Sequence, residues 1–216
     1  MITAIDLAEL LDEELGDDYA KLAALSEEEE RDEPLLRSLR KRAPWLIILL
    51  FLGLGVSAVV GAFEGVVAEL PMIVAFQSLI LGMAGNVGTQ SLAVTVRALG
   101  GERPSLGQQL LIILKETRIA LLNGLLLGLF SFVIVGGYLL LLGGYGAAVA
   151  AVTAGCVGSA LCFSMMISGF TGAAIPLCFH RLGIDPAVAS GPLITTVNDL
   201  VAVVSYYGLA WALLLH

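Results

Sequence analysis

Five long apolar runs, separated by short polar connections, dominate this chain. The first is "APWLIILLFLGLGVSAVVGAF" (43–63), and the others fall at 70–96, 119–142, within 145–179, and at 187–215. About 20 consecutive apolar residues suffice to cross the hydrocarbon core of a bilayer as a helix. The pattern therefore predicts an all-α integral membrane protein with five transmembrane helices. Residues 1–42 break the pattern and form a polar tail; residues 43–216 form the membrane domain. Within the tail, "DLAELLDEEL" and "DYAKLAALSEEEE" carry apolar residues at helical spacing, while "SEEEERDEP" reads as a solvated charge run.

The second run is not uniformly greasy. In "LGMAGNVGTQ" (81–90), Gly82, Gly85 and Gly88 recur every third residue with Asn86, Thr89 and Gln90 among them. One reading is a dry seam in which small residues let helices approach closely. The other is a helix broken at membrane depth, tolerated only where it is buried in protein or lines a watery cavity. Packing accounts for the glycines and leaves the amides unexplained, so the pattern predicts a non-helical, cavity-facing segment over 82–88. Carbonyls freed there, with Asn86, would be hard oxygen ligands of the kind that suit magnesium, calcium or manganese.

The fifth run holds the one deep carboxylate, Asp199, in "GPLITTVNDLVAVV". Counted from Ala187 it lies roughly 18 Å along a helix, near the bilayer midplane. Thr195, Thr196 and Asn198 precede it, and Thr195 shares its face. Ionisable groups at that depth are expensive and usually functional. A protonated Asp bonded to a neighbouring helix is the structural alternative. With no intramembrane Lys or Arg to pair with it, a cation from outside is the favoured partner.

Charge sharpens the topology. The chain is 58% hydrophobic and only 14% charged, well below the roughly one quarter typical of soluble domains. Residues 1–42 hold 13 acidic and 6 basic residues, so the formal net charge of −8 resides almost wholly in the tail. Arg37, Arg40, Lys41 and Arg42 precede the first span. Arg97, Arg103, Lys115 and Arg118 surround the second connection, and Arg181 lies in the fourth. All fall on one side of a five-span model, which puts the N-terminus in the cytoplasm and the C-terminus outside. No basic stripe suggests nucleic acid, and the acidic start does not read as a signal peptide. No phosphate-binding loop points to direct ATP coupling. Protease chemistry lacks its parts: a single deep Asp per chain, and His180 at a membrane edge.

Three segments carry a family resemblance: "RSLRKRAPWLIILLFLGLGVSAVVGAFE" (37–64), "LILGMAGNVGTQSLAVTVRAL" (79–99) and "HRLGIDPAVASGPLITTVND" (180–199). They resemble the MgtE family of magnesium transporters, in the order and spacing of its five spans. The resemblance implies a homodimeric channel in a prokaryotic inner membrane, its pore on the dimer axis and lined by the second and fifth spans. It makes Mg²⁺ the transported ion, held hydrated by Asp199 with Gly82, Gly85 and Asn86 contributing. Gly88, Thr89, Gln90, Thr195, Thr196 and Asn198 would line the pore, and Glu64 would sit at the external entrance. Mn²⁺ or Co²⁺ are alternative cargoes, and a non-conducting membrane subunit is the remaining rival. Two departures, Ala84 and Ala202 at positions where the family favours glycine, are expected to narrow or stiffen the filter. The resemblance also implies cytosolic sensor domains in typical members. Residues 17–42 resemble the helix joining sensor to pore, so weak control by cytoplasmic magnesium is expected unless a separate sensor protein docks on the tail.

Other residues receive plainer readings. Cys156, Cys162 and Cys178 are small packing residues, and "GLLLG" (124–128) is a helix-packing face. Glu116 is expected to pair with Lys115 or Arg118 at the interface, and Asn123 to bond across helices. Glu69 is a loop carboxylate. Pro71, Pro176, Pro186 and Pro192 fall near span ends, where proline costs least. Neither His180 nor His216 is assigned a metal.

Overall fold

A computed structural model describes residues 34–69, 71–99, 104–183 and 191–214. The acidic tail before Pro34, Arg103, Pro186, the Ala187 start of the last span and His216 lie outside the described residues. The elements are all helical: α1 (Leu35–Ala62), α2 (Glu64–Glu69), α3 (Pro71–Leu99), α4 (Leu106–Leu141), α5 (Ala147–Arg181) and α6 (Gly191–Leu214). All but α2 are long and apolar enough to cross a membrane, matching the five runs read from the sequence.

The helices outrun the hydropathy at several ends. α4 begins at Leu106 rather than 119, because Ser105 and Gln108 form a reciprocal capping box: the Ser105 amide donates to Gln108 Oε1 at 2.7 Å, and Ser105 Oγ accepts from the Gln108 amide. With 36 residues, α4 is about 54 Å long, roughly 24 Å more than a 30 Å hydrocarbon core. α1 likewise starts at Leu35 and runs through Pro44 without a break. Pro71 and Pro192 sit in first turns as expected, whereas Pro176 is inside α5.

α5 is the hub, packed by α4, α3 and α6, while α1 leans on α6 and has no buried residue of its own. Small residues make the hub possible. A methyl placed on Gly128 would lie 2.7 Å from the Gly158 carbonyl oxygen, and the converse distance is also 2.7 Å; one on Gly124 would lie 2.9 Å from that of Cys162. "GLLLG" is thus the close crossing of α4 on α5. On the other side of α5, a methyl on Gly172 would overlap the Gly88 carbonyl and press on Ser91 Cβ at 3.0 Å. α3 and α4, both resting on α5, scarcely touch each other.

Two expectations fail here. Glu116 is buried and makes no ion pair with Lys115 or Arg118 among the described residues. Residues one and two apart on a helix diverge around its axis, so the three side chains do not meet. Cys156 is core and Cys162 lies at the α4 crossing, but Cys178 is exposed.

Candidate ion site at the seam of two helices

The glycine-rich stretch is unbroken α-helix: α3 runs from Pro71 to Leu99 with no interruption at 82–90. The expectation of a non-helical segment over 82–88 is therefore corrected. What the glycines supply is close approach. A methyl on Gly85 would sit 3.1 Å from Thr195 Cγ2. One on Gly88 would overlap the Asn198 amide nitrogen and lie 3.0 Å from Ile194 Cγ2. Gly82 differs, having open space where a side chain would be. The Gly85 carbonyl accepts from Thr89 Oγ1 at 2.9 Å, so it is engaged rather than freed.

α3 and α6 run antiparallel, as the pairs Gly85–Thr195 and Ile73–Tyr206 show. One helical turn beyond Thr195, Asp199 comes to the height of Gly82. It is partly buried, about 12 Å along α6 from Gly191, and has no hydrogen bond or ion pair among the described residues. Thr196 spends its proton on the Pro192 carbonyl at 2.9 Å, as Thr89 does on Gly85. Each hydroxyl keeps lone pairs that can accept from a hydrated ion.

The residues expected to line one pore divide into three groups. Asp199, Thr195, Gly85 and Gly82 share the α3–α6 seam. Asn198 and Gly88 are buried within the protomer, with Asn198 Oδ1 accepting from Thr171 Oγ1 at 2.7 Å. Asn86, Thr89 and Gln90 line a cavity of about 600 Å³ between α3, α4 and α5, with Asn123 on its far wall beside Met165. The helical screw causes this division: at 3.6 residues per turn, adjacent positions point about 100° apart. Asn123 makes no hydrogen bond across helices among the described residues; it faces the cavity instead. Ala84 and Ala202 are fully buried, so neither substitution for glycine narrows an open passage. Glu64 is exposed at the first position of α2.

Sequence reasoning missed the tyrosines that set the seam. Tyr206 Oη donates to the Ile73 carbonyl at 2.7 Å, and Tyr207 Oη to Gln77 Oε1 at 2.6 Å. Phe63 stacks on Tyr207 with centroids 5.6 Å apart, bringing the end of α1 to the same point. The signal was available: two adjacent tyrosines in one span and an isolated glutamine in another need polar partners in hydrocarbon. At the opposite end of the helices, Arg181 Nε donates to Gln109 Oε1 at 2.6 Å. Among the described residues no three His, Cys, Asp or Glu side chains gather as a metal cluster, so the ligand chemistry on offer is one carboxylate with hydroxyl and amide oxygens.

Comparison with known proteins identifies the family. Residues 77–209 match the family model MgtE, described as a divalent cation transporter. The chain is 37% identical over 212 residues to the magnesium transporter MgtE of Enterococcus faecalis, covering 97% of this chain and 44% of that protein. It is 34% identical over 216 residues to the Bacillus subtilis protein of that name, covering 98% and 45%. Against the Thermus thermophilus one it is 31% identical over 222 residues, covering 99% and 46%. The chain thus spans a little under half the length of these relatives. With the match covering the glycine-rich helix and Asp199 together, the chain belongs to the MgtE family, whose members are divalent cation transporters and not enzymes.

Proposed function

We propose that this chain moves Mg²⁺ across a bacterial membrane as a homodimer, through a passage at the subunit interface lined by α3 and α6. The observation that carries the reading is Asp199, a carboxylate inside a membrane-crossing helix with no basic partner among the described residues. A fixed charge there is costly unless a cation visits it. The relatives named above as magnesium transporters support that cargo.

Mg²⁺ surrenders its water reluctantly, and one carboxylate per chain is too little to strip it. In the proposed mechanism the ion stays hydrated while Asp199 from each protomer accepts hydrogen bonds from its waters. Thr196 offers a further acceptor, and Gly82 leaves room beside the carboxylate. Asn86, Gln90 and Asn123 make the side cavity wettable, a vestibule rather than the coordinating site. Glu64 draws cations to the outer entrance, with the N-terminus cytoplasmic. A potential of 100 mV is worth about 4.6 kcal/mol for an inward divalent cation, so passive flow suffices.

Flux into liposomes holding the purified chain tests the proposal, comparing magnesium, manganese, cobalt and calcium. Magnesium flux that Asp199→Asn abolishes, with dimer formation intact, is the expected result. The family's broader description as a divalent cation transporter favours a second reading, in which manganese or cobalt passes as readily. No flux of any of the four ions would point to a non-conducting subunit.

A further inference from the structure

The α4–α5 crossing leaves a groove of about 470 Å³ on the outer side of the protein. Ser159 and Phe163, which line it, are exposed, whereas Ser164 and Ser168 on the other side of the same helix are buried. The crossing glycines Gly124, Gly128 and Gly158 form its floor, and Leu125, Phe132 and Phe163 its walls. Along α4 it runs from Leu121 to Phe132, roughly 16 Å at 1.5 Å per residue. That is about half of a 30 Å hydrocarbon core, the depth of one leaflet. Nothing in the transport path uses this face.

One end of the groove is charged. Arg118 precedes Leu121 by one turn and Leu125 by two, on the same stripe of α4. It is exposed and has no hydrogen bond or ion pair among the described residues. The acid nearest in sequence, Glu116, is buried on the side of α4 turned to α5, where its carbonyl would lie 3.1 Å from a methyl on Gly169. Helical side chains lean toward their own N-terminus, which carries the guanidinium away from the apolar groove toward the membrane surface. Lys115 is exposed at the same end.

We propose that this groove binds one anionic phospholipid, its acyl chain lying along the α4–α5 crossing and its phosphate held by Arg118. The glycine floor admits a chain where larger residues would fill the space, and the cation selects the headgroup. Basic residues beside intramembrane clefts recognise anionic lipid in this way, and guanidinium groups engage phosphate bidentately.

The test uses the full chain, delipidated in detergent and titrated with phosphatidylglycerol or phosphatidylcholine of identical acyl chains, with bound lipid counted by native mass spectrometry. Wild type should prefer phosphatidylglycerol by roughly fivefold, the size expected for one juxtamembrane cation. Arg118→Gln should erase the preference while leaving phosphatidylcholine binding unchanged, and Arg118→Lys should retain most of it. Ser159→Trp, which fills the groove from its exposed rim, should weaken both lipids. Equal binding of the two lipids by wild type, or a preference surviving in Arg118→Gln, overturns the proposal. So does unweakened binding by a folded Ser159→Trp, or displacement by inorganic phosphate at concentrations matching the lipid, which would mark an ion site rather than a lipid site.

Discussion

The amide nitrogen of Asn198 occupies the space a side chain on Gly88 would need, while its Oδ1 accepts from Thr171 at 2.7 Å. Three helices meet at that amide: α3 through Gly88, α5 through Thr171, and α6 through Asn198 itself. The junction fixes the rotation of α6. With Asn198 turned inward, Asp199 is carried about 100° around the helix and remains partly open.

Gly88→Ala should therefore destabilise the protein by about 1–3 kcal/mol, the usual cost of overpacking a well-filled site. Gly82→Ala has space to spare, and should be neutral or stabilising by up to about 1 kcal/mol from helix propensity. Unfolding titrations in mixed micelles check both. Equal costs at the two positions would contradict the packing assigned to Gly88. Flux supplies an independent contrast, since Gly82→Leu should block ion passage while leaving stability near wild type.

The five spans, with Asp199 inside the last of them, were legible because hydropathy acts along the chain, one segment at a time. The state of residues 82–88 was not. Glycine spacing alone does not distinguish a broken helix from a tight crossing; the answer lies in what faces each glycine, Thr195 at Gly85 and Asn198 at Gly88. The division of Asn86, Gln90 and Asn198 between different surfaces was hidden for the same reason. Helical phase is readable from sequence, but which neighbour occupies each direction is not. The start of α4 was misread because hydropathy ignores the capping chemistry of Ser105 and Gln108.

Tyr206→Phe removes the hydroxyl that reaches the Ile73 carbonyl. Interhelical hydrogen bonds in membranes contribute about 0.6–1.7 kcal/mol, so a loss of about 1 kcal/mol is expected. Tyr207→Phe should cost a similar amount, because it strands Gln77 Oε1. Stability of the two single variants and the double variant checks this. The two rings lie 5.4 Å apart, so their costs should couple rather than simply add.

Asn123→Leu tests the side cavity. It removes one amide from a wall that also carries Asn86 and Gln90, without breaking any hydrogen bond among the described residues. Stability should be unchanged or slightly higher, since an unpaired amide at membrane depth is costly. Flux should fall if the cavity is a wetted vestibule and stay at wild-type level if the ion never approaches it.

Thr171→Val is the sharpest test of how the junction serves Asp199, because α5 is not part of the proposed passage. Losing the hydroxyl leaves the buried Asn198 carbonyl oxygen without its donor, a cost of about 1–3 kcal/mol. Asn198→Leu alone strands the Thr171 hydroxyl less severely, since that group also reaches the carbonyls of Ile167 and Ser168 at 3.1 Å. Replacing both partners should restore much of the stability, as apolar substitution of a whole pair often does. Ion flux should not recover with it, because neither replacement keys the rotation of α6 as the Asn198–Thr171 bond does. A double-mutant cycle read in both stability and flux separates the two roles. Recovery of stability with flux still reduced supports a positioning role for Asn198, and full recovery of both reduces the junction to packing.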